Sequence, residues 1–459
     1  MSVFRFAPSP TGFLHLGNAR TALLNACWAL KHAGKCYLRI DDTDKARSEK
    51  VFEKSLITDL SWLGFSFDKI FRQSERVEFY EKYIQNLKTQ GLVYPCYETP
   101  EELQEKRTQQ RLKGKPYRYD RSARRLTSEQ KNAFEKGGRR AHWRFLLSDN
   151  SIAWQDVVKG SLSFDLSSIS DPVVLRSDGT PSFLLAGLLD DLDLGITHIL
   201  RGADHITNTA IQIYMKNKIA PAKTIIWGHL PLLAEKTGQL FSKRLNSLTL
   251  QHLRKEGFLP EALRSTLFSI GLSNDVTVSS LEELAHTLDL AHYKGSHAVF
   301  ELSKLISHNK MQLQLWTWPQ VENFLTKSGK QNTPSLFWSL VKENVTTLKD
   351  LLMWHDLCFS TQDFSHAVKL HSANSSPFIH TFWALALGFL SKNPWEEAVW
   401  VKLLSFLTDQ TNQGKKTIAQ SLRLALTGQK KGPPMPALMQ LIGQEETLNR
   451  LKKISLSAQ

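Results

Sequence analysis

Pro8-Ser-Pro-Thr-Gly-Phe-Leu-His-Leu-Gly-Asn18 packs two prolines and two glycines into eleven residues, with one histidine, His15, between leucines. It joins two regular patterns. Upstream, Val3 to Ala7 alternates and is rich in large residues, as a strand is, and Pro8 ends it. Downstream, residues 18–33 read as a helix with Leu23, Cys27 and Leu30 on one face and Gly34 as the stop. Cys36 to Ile40 reads as a second strand. Strand, helix and strand in so short a span form a βαβ unit, so the two strands run parallel. The acids of Asp41-Asp-Thr-Asp44 therefore leave the same sheet edge as Pro8-Ser-Pro-Thr-Gly12, the edge where open parallel sheets bind ligands.

A helix N-terminus at such an edge presents free N–H groups and about half a positive charge, which suits an anion. Gly12 and Gly17 let backbone approach a phosphate without a Cβ in the way, while Pro8 and Pro10 stiffen the turn. His15 has two readings: a cap for the helix, or a donor to phosphoryl oxygens as charge builds on them.

At 459 residues the chain is too long for one ordinary domain, and 41% hydrophobic with 22% charged residues is a normal globular composition. No apolar run approaches the ~18 residues needed to cross a bilayer, and the first residues enter a strand pattern directly, so neither a membrane span nor a signal peptide is expected. Cys27, Cys36, Cys96 and Cys358 are scattered, as in a reducing cytoplasm. The net charge of +14 points to a polyanionic partner. Residues 105–125 hold nine Lys/Arg against two acids, a net +7, with Tyr117 and Tyr119 interleaved. Such a run is a solvated face or a contact for an RNA backbone. Strand-like character returns at 173–201, and from roughly 245 onward the pattern is helical. Seven of the twelve tryptophans lie between 316 and 400, as fillers for a helical core.

His15-Leu-Gly-Asn18 resembles the His-Ile-Gly-His signature of class I aminoacyl-tRNA synthetases, and the extended Pro-Ser-Pro-Thr-Gly-x-Leu-His-x-Gly-Asn is similar to that of bacterial glutamyl-tRNA synthetases. Leu240-Phe241-Ser242-Lys243-Arg244 matches the Ser-Lys-Arg variant of the family's lysine loop. Further blocks match at Arg39–Asp44, Arg72–Arg76, Val173–Gly179, Asp190-Asp191, Leu200–Gly202 and Leu422–Gly428, so the resemblance covers essentially the whole chain.

The resemblance implies an α/β Rossmann-type catalytic domain with an inserted α+β acceptor-binding domain, followed by all-α stem-contact and anticodon-binding domains. The expected boundaries are 1–92 and 181–232 for the two catalytic halves, 93–180 for the insert, 233–315 for the stem-contact domain with the lysine loop, and 316–459 for the anticodon domains. It implies a two-step reaction: glutamate attacks the α-phosphate of ATP to give glutamyl-adenylate and pyrophosphate, then passes to the terminal adenosine of tRNA. His15 and Lys243 would hold the phosphates in the transition state, Lys243 as a point charge on a mobile loop. Pro8, Ser9, Pro10, Thr11, Gly12, Gly17, Asn18, Asp204 and Leu240 to Arg244 would surround ATP, which brings Mg²⁺. Arg5 and Arg201 would face the two carboxylates of glutamate, Asp41 its ammonium, with Ser9, Phe183 and Gly187 in the same pocket. Arg121, Arg124, Arg125 and Asn344 would touch tRNA. A cytoplasmic monomer that binds no membrane is expected.

Four positions depart from the family pattern: Asp41 in place of a common Glu, Phe183 in place of Tyr, Ala203 in place of an acid, and Leu240 in place of the loop's first lysine. A hydrogen bond to a charged group is worth ~1.5–3 kcal/mol, so each change can cost tenfold. They are the only support for a rival reading, a weakened paralogue that binds tRNA without charging it. A truncated relative that glutamylates a tRNA base lacks the helical C-terminal part present here, and glutaminyl-tRNA synthetase carries β-barrel anticodon domains instead. Some relatives hold zinc in the insert through a Cys-x-Cys and a Cys/His pair. Here Cys96 is followed by Glu98 and the region of Tyr117 to Asp120 supplies no cysteine, so no structural zinc is expected.

Overall fold

The computed structural model describes residues 1–44, 46–114, 117–234, 249–277, 280–295, 298–362, 364 and 378–457. They divide into two compact units, residues 1–255 with 260–304, and residues 256–259 with 305–459.

The first unit begins with the expected βαβ: β1 (Val3–Phe6), α1 (Leu16–Lys31) and β2 (Lys35–Ile40). β1 and β2 pair in parallel, Phe4 opposite Cys36 and Phe6 opposite Leu38. Leu30, expected on the buried face, is 46% exposed, whereas Ala22 to Ala29 are all buried. The helix is enclosed on more than one side because Pro260–Ser269 and Leu281–Thr287 pack on it as well as the sheet. Gly34 serves close approach rather than chain reversal: Ala33 takes the positive φ of 45°, and a Cβ on Gly34 would lie 2.7 Å from the Phe4 ring.

The chain continues through α2 (Lys50–Trp62), β3 (Lys69–Arg72), α3 (Val77–Thr89), β4 (Val93–Cys96), α4 (Pro100–Leu112), α5 (Ser128–Lys136), β5 (His142–Phe145), β6 (Ser151–Asp156), β7 (Gly160–Asp165) and β8 (Val173–Leu175). Then come α6 (Phe183–Asp193), β9 (His198–Gly202), α7 (Ile206–Ile219) and β10 (Ile226–Leu230). One sheet runs β3-β2-β1-β9-β10-β6-β7, parallel except for the β6–β7 hairpin; β4-β5-β8 form a small antiparallel sheet. The hairpin lies inside the 93–180 range expected for the insert, yet Asp156 pairs with Trp227 of β10 and places it in the larger sheet.

The middle of 173–201 is not strand. Ser182 accepts from the Leu185 N–H and starts α6, and Leu185 to Leu192 are all buried. A helix buried all round carries no polar stripe, so its 3.6-residue period is invisible in the sequence.

The second unit is helical. Trp338, Trp354, Trp383 and Trp400 are each at most 6% exposed and serve as core. Arg450, fully buried, donates to Glu446 Oε1 (2.8 Å) and to the carbonyls of Leu426 (2.6 Å) and Leu357 (2.7 Å), tying three helices together.

Candidate active site

The segments leaving the carboxyl ends of β1, β2 and β9 line one cleft of about 610 Å³, a volume suited to a nucleotide with a small acid. It brings together Arg5, Pro8, Ser9, Thr11, His15, Gly17, Asn18, Asp41, Phe183, Gly187, Arg201 and Asp204; Pro10 and Gly12 stand outside its lining. The Pro-rich turn is tied to the neighbouring strand end, because Asp41 N–H donates to Pro8 O (3.0 Å) and Glu49 N–H to Pro10 O (3.2 Å).

His15 is the N-cap of α1, in extended conformation, with Nδ1 accepting from the Asn18 N–H at 3.4 Å. Capping and phosphate contact are therefore compatible: an accepting Nδ1 assigns the proton of the neutral ring to Nε2 as a donor. Gly17 makes room for this ring, since a Cβ there would lie 3.1 Å from the His15 imidazole.

At the other end three arginines gather. Arg39 holds Asp41 in a fork, Nε to Oδ1 at 2.6 Å and Nη2 to Oδ2 at 3.1 Å, and its Nη1 donates to Asp191 Oδ1 (2.8 Å) and Gly187 O (3.0 Å). Arg5 Nε donates to the same Asp191 oxygen (3.2 Å). Asp190 accepts from Gln73, Arg76 and Tyr80 at 2.8–2.9 Å and also lies 3.7 Å from Arg39 Nε. Among the described residues Arg201 has no carboxylate in contact; its Nη2 donates to Thr209 Oγ1 (2.5 Å) and Gln212 Oε1 (2.7 Å). Burial, with Arg5 nearby, lowers Arg201 to about 9. Burial also lowers Arg5, and pushes Asp41 up to about 6 against the pull of Arg39. With Asp190 shared between Arg39 and Arg76, the three guanidiniums have only Asp41 and Asp191 wholly to themselves, an excess of positive charge that complements glutamate, which carries two carboxylates and one ammonium.

Arg39, Asp191, Thr209 and Gln212 carry no site role in the sequence reading. The signal for Asp191 is chemical: two adjacent acids in the apolar run from Leu184 to Leu192 need buried cations.

The tRNA-facing candidates separate. Arg121, in the left-handed region at φ 55°, is committed to the fold: Nε donates to Asp171 Oδ2 (2.9 Å) and Nη2 to Leu147 O (2.7 Å). These contacts tie the guanidinium into the local fold, unlike its two neighbours in the run. Arg124 and Arg125 are exposed. Asn344 is half-buried at the end of a short turn in the second unit. Leu240 to Arg244, with Lys243, lie outside the described residues.

In the insert Cys96, Glu98 and His142 place a potential ligand atom each within 4.8 Å of one another. Glu98 Oε1 already accepts from Tyr119 (2.6 Å), Lys106 (3.1 Å) and Ser122 (3.1 Å), so an ammonium supplies the positive charge there, and burial pushes the Cys96 thiol up to about 12. Glu98 Oε2 and His142 Nε2 are buried without partners among the described residues, but three groups with a resident ammonium do not make the four-ligand set of structural zinc.

A family model described as "tRNA synthetases class I (E and Q), catalytic domain" matches residues 2–313, and one for an anticodon binding domain matches 313–455. Fold and cleft together define a class I aminoacyl-tRNA synthetase. Glutamate–tRNA ligase 2 of Gluconobacter oxydans is 39% identical over 98% of both chains, and that of Bartonella bacilliformis is 38% identical over 97% of this chain and 99% of its own. A crystal structure of a glutamate tRNA ligase from Elizabethkingia meningosepticum, in complex with its amino acid, superposes with a TM-score of 0.78 at 26% identity over 99% of both chains. The chain belongs to the glutamate–tRNA ligase family. No helix among the described residues is long and apolar enough to cross a membrane.

Proposed function

We propose that this glutamate–tRNA ligase binds glutamate between Arg5, Arg201 and Asp41 and joins it to the α-phosphate of ATP beside His15. The observation that carries this reading is the surplus positive charge of the buried arginines at one end of a cleft whose other end is a helix N-terminus capped by His15. Arg201 and Arg5 supply donors for carboxylates. The lone pairs of Asp41 that Arg39 leaves unused accept from the ammonium. Pro8 to Gly12, Gly17, Asn18 and Asp204 surround ATP, which enters as its Mg²⁺ complex. His15 Nε2 and Lys243 stabilise charge that grows on the phosphates. Phe183, lacking a hydroxyl, closes the pocket by shape alone; its ring lies 5.6 Å from that of His205.

The glutamyl group then passes to the terminal adenosine of a tRNA held in part by Arg124 and Arg125. With Asn344 as the reader of the third anticodon base, the enzyme charges tRNA(Gln) as well as tRNA(Glu). We place it in the cytoplasm as a monomer. Pyrophosphate exchange with glutamate, glutamine and aspartate, each with and without tRNA, tests the activation step. Exchange with glutamate alone is expected. No exchange under any condition would leave the tRNA-binding paralogue as the better reading.

A further inference from the structure

Behind the cleft, four buried side chains form a hydrogen-bonded file that ends on Arg201. Arg201 is 7% exposed, and its Nη2 spends both hydrogens on α7, one on Thr209 Oγ1 (2.5 Å) and one on Gln212 Oε1 (2.7 Å). Its Nε–H is buried without a partner among the described residues. Thr209 and Gln212 are three residues apart and share a helix face. The Gln212 amide cannot flip without loss, because its Nε2 donates to Leu184 O (3.1 Å) and so leaves Oε1 to accept.

The Thr209 hydroxyl would have no such constraint on its own, since one rotor offers both donor and acceptor. His229 of β10 supplies the constraint, with Nε2 2.7 Å from Thr209 Oγ1. Its Nδ1 lies 2.5 Å from Asp156 Oδ2. Asp156 Oδ1 accepts the N–H groups of Val158 (3.0 Å), Lys159 (2.9 Å) and His229 (3.1 Å), which suit an ionised carboxylate. The ionised acid assigns the imidazole proton to Nδ1, so Nε2 accepts from the Thr209 hydroxyl. The hydroxyl lone pairs then turn to Arg201. The same hydroxyl also lies 3.2 Å from His205 O, a longer and weaker alternative for its proton. Asp156, Thr209 and His229 are each at most 4% exposed, and none of them lines the cleft.

We propose that Asp156 and His229 are positioning residues for the glutamate site: through the Thr209 hydroxyl they hold the Arg201 guanidinium in the orientation that receives a substrate carboxylate. This rests on the reading of Arg201 as a glutamate contact. Asp156 comes from the β6–β7 hairpin, so a segment that does not line the cleft determines how the cleft grips its acid.

The test is pyrophosphate exchange with tRNA present, which yields separate KM values for glutamate and ATP. Thr209→Val keeps the shape and removes the hydroxyl. It is expected to raise the glutamate KM by about tenfold or more, the size of one hydrogen bond to a charged group, with the ATP KM unchanged. Thr209→Ser is expected to restore the wild-type value. His229→Gln, which keeps a donor for Asp156 and an acceptor for Thr209, is expected to be milder than His229→Leu. Arg201→Lys is the control for the underlying reading. If Arg201→Lys raises the glutamate KM and Thr209→Val does not, the positioning role is overturned and the contact stands. If Arg201→Lys leaves the glutamate KM unchanged, the contact fails and the positioning role falls with it. Equal rises in both KM values, together with a lower melting temperature, would mark a merely structural role and also overturn the proposal.

Discussion

At Gly17 one added carbon would press on the His15 ring. A methyl group there meets the His15 imidazole at 3.1 Å, closer than nine in ten real contacts, so the ring must give by a few tenths of an ångström, which lengthens its already long bond of 3.4 Å from the Asn18 N–H. Gly17→Ala is expected to lower adenylate formation by about tenfold or more, since both the cap and the aim of Nε2 are disturbed. Melting should fall modestly, by the ~1 kcal/mol of a lost cap. Single-turnover adenylate formation and a thermal melt check the two halves; a full rate would detach His15's orientation from the chemistry. Asp41 gives a pH signature. Burial raises it to about 6, above the ~3.9 of an unfolded chain. Its neutral form is thus favoured by folding, so its contribution to stability is fully present below pH ~3.9 and is lost as pH rises through about 6. Glutamate binding runs the other way, because the ammonium needs the anion. The glutamate KM is expected to rise by up to tenfold per pH unit below about 6, with no loss of stability traceable to Asp41. A KM that stays flat from pH 7.5 to 5 would show that the Asp41 charge is not used.

Among the elements, what was legible followed local periodicity. β1, α1 and β2 are amphipathic or bounded by Pro and Gly, and the sequence places them within a few residues of their observed ends. Helix α6 was illegible because its neighbours bury it on every side, and the β6–β7 hairpin because its partner β10 lies some 70 residues further on. The site divides the same way. His15, Arg39 and Arg201 stand in short blocks that can be recognised, yet what Arg39 does, like what Thr209 and Gln212 do, depends on contacts that only the folded chain creates. Arg121 shows the limit of reading charge alone, since one guanidinium of a +7 run is spent on Asp171 inside the insert. Arg121→Ala is expected to cost about 2–3 kcal/mol, because it leaves a fully buried carboxylate short of its cation, and to lower the melting temperature. Neutralising the exposed pair with Arg124→Gln and Arg125→Gln should leave melting unchanged and flatten the salt dependence of tRNA binding by about one unit of slope per charge. Equal salt slopes in the double variant and the wild type would mean that these charges are only solvated.

The first unit holds the cleft proposed for the amino acid, and an anticodon-binding family matches residues 313–455, which lie in the helical second unit; on the proposed reading the choice of tRNA belongs to that second unit. The anticodons for glutamate and glutamine differ at the third base, C against G. The family resemblance places an arginine at the position of Asn344 in strict glutamate enzymes. Arginine offers a rigid charged fork of donors, whereas asparagine offers a shorter amide with one donor group and one acceptor. Asn344 ends the Lys342–Asn344 turn, and a short amide that both donates and accepts suits either base edge. One good base contact is worth ~1–3 kcal/mol, and its loss removes most of a single-base preference. Labelled glutamate is therefore expected to appear on purified tRNA(Gln) at a rate comparable with, or greater than, that on tRNA(Glu). Asn344→Arg is expected to shift the ratio of kcat/KM values toward tRNA(Glu) by about tenfold or more while leaving tRNA-independent properties such as melting unchanged. A wild-type preference for tRNA(Glu) above ~100-fold exceeds what one missing contact leaves room for, and would place the reading of the third base on other residues.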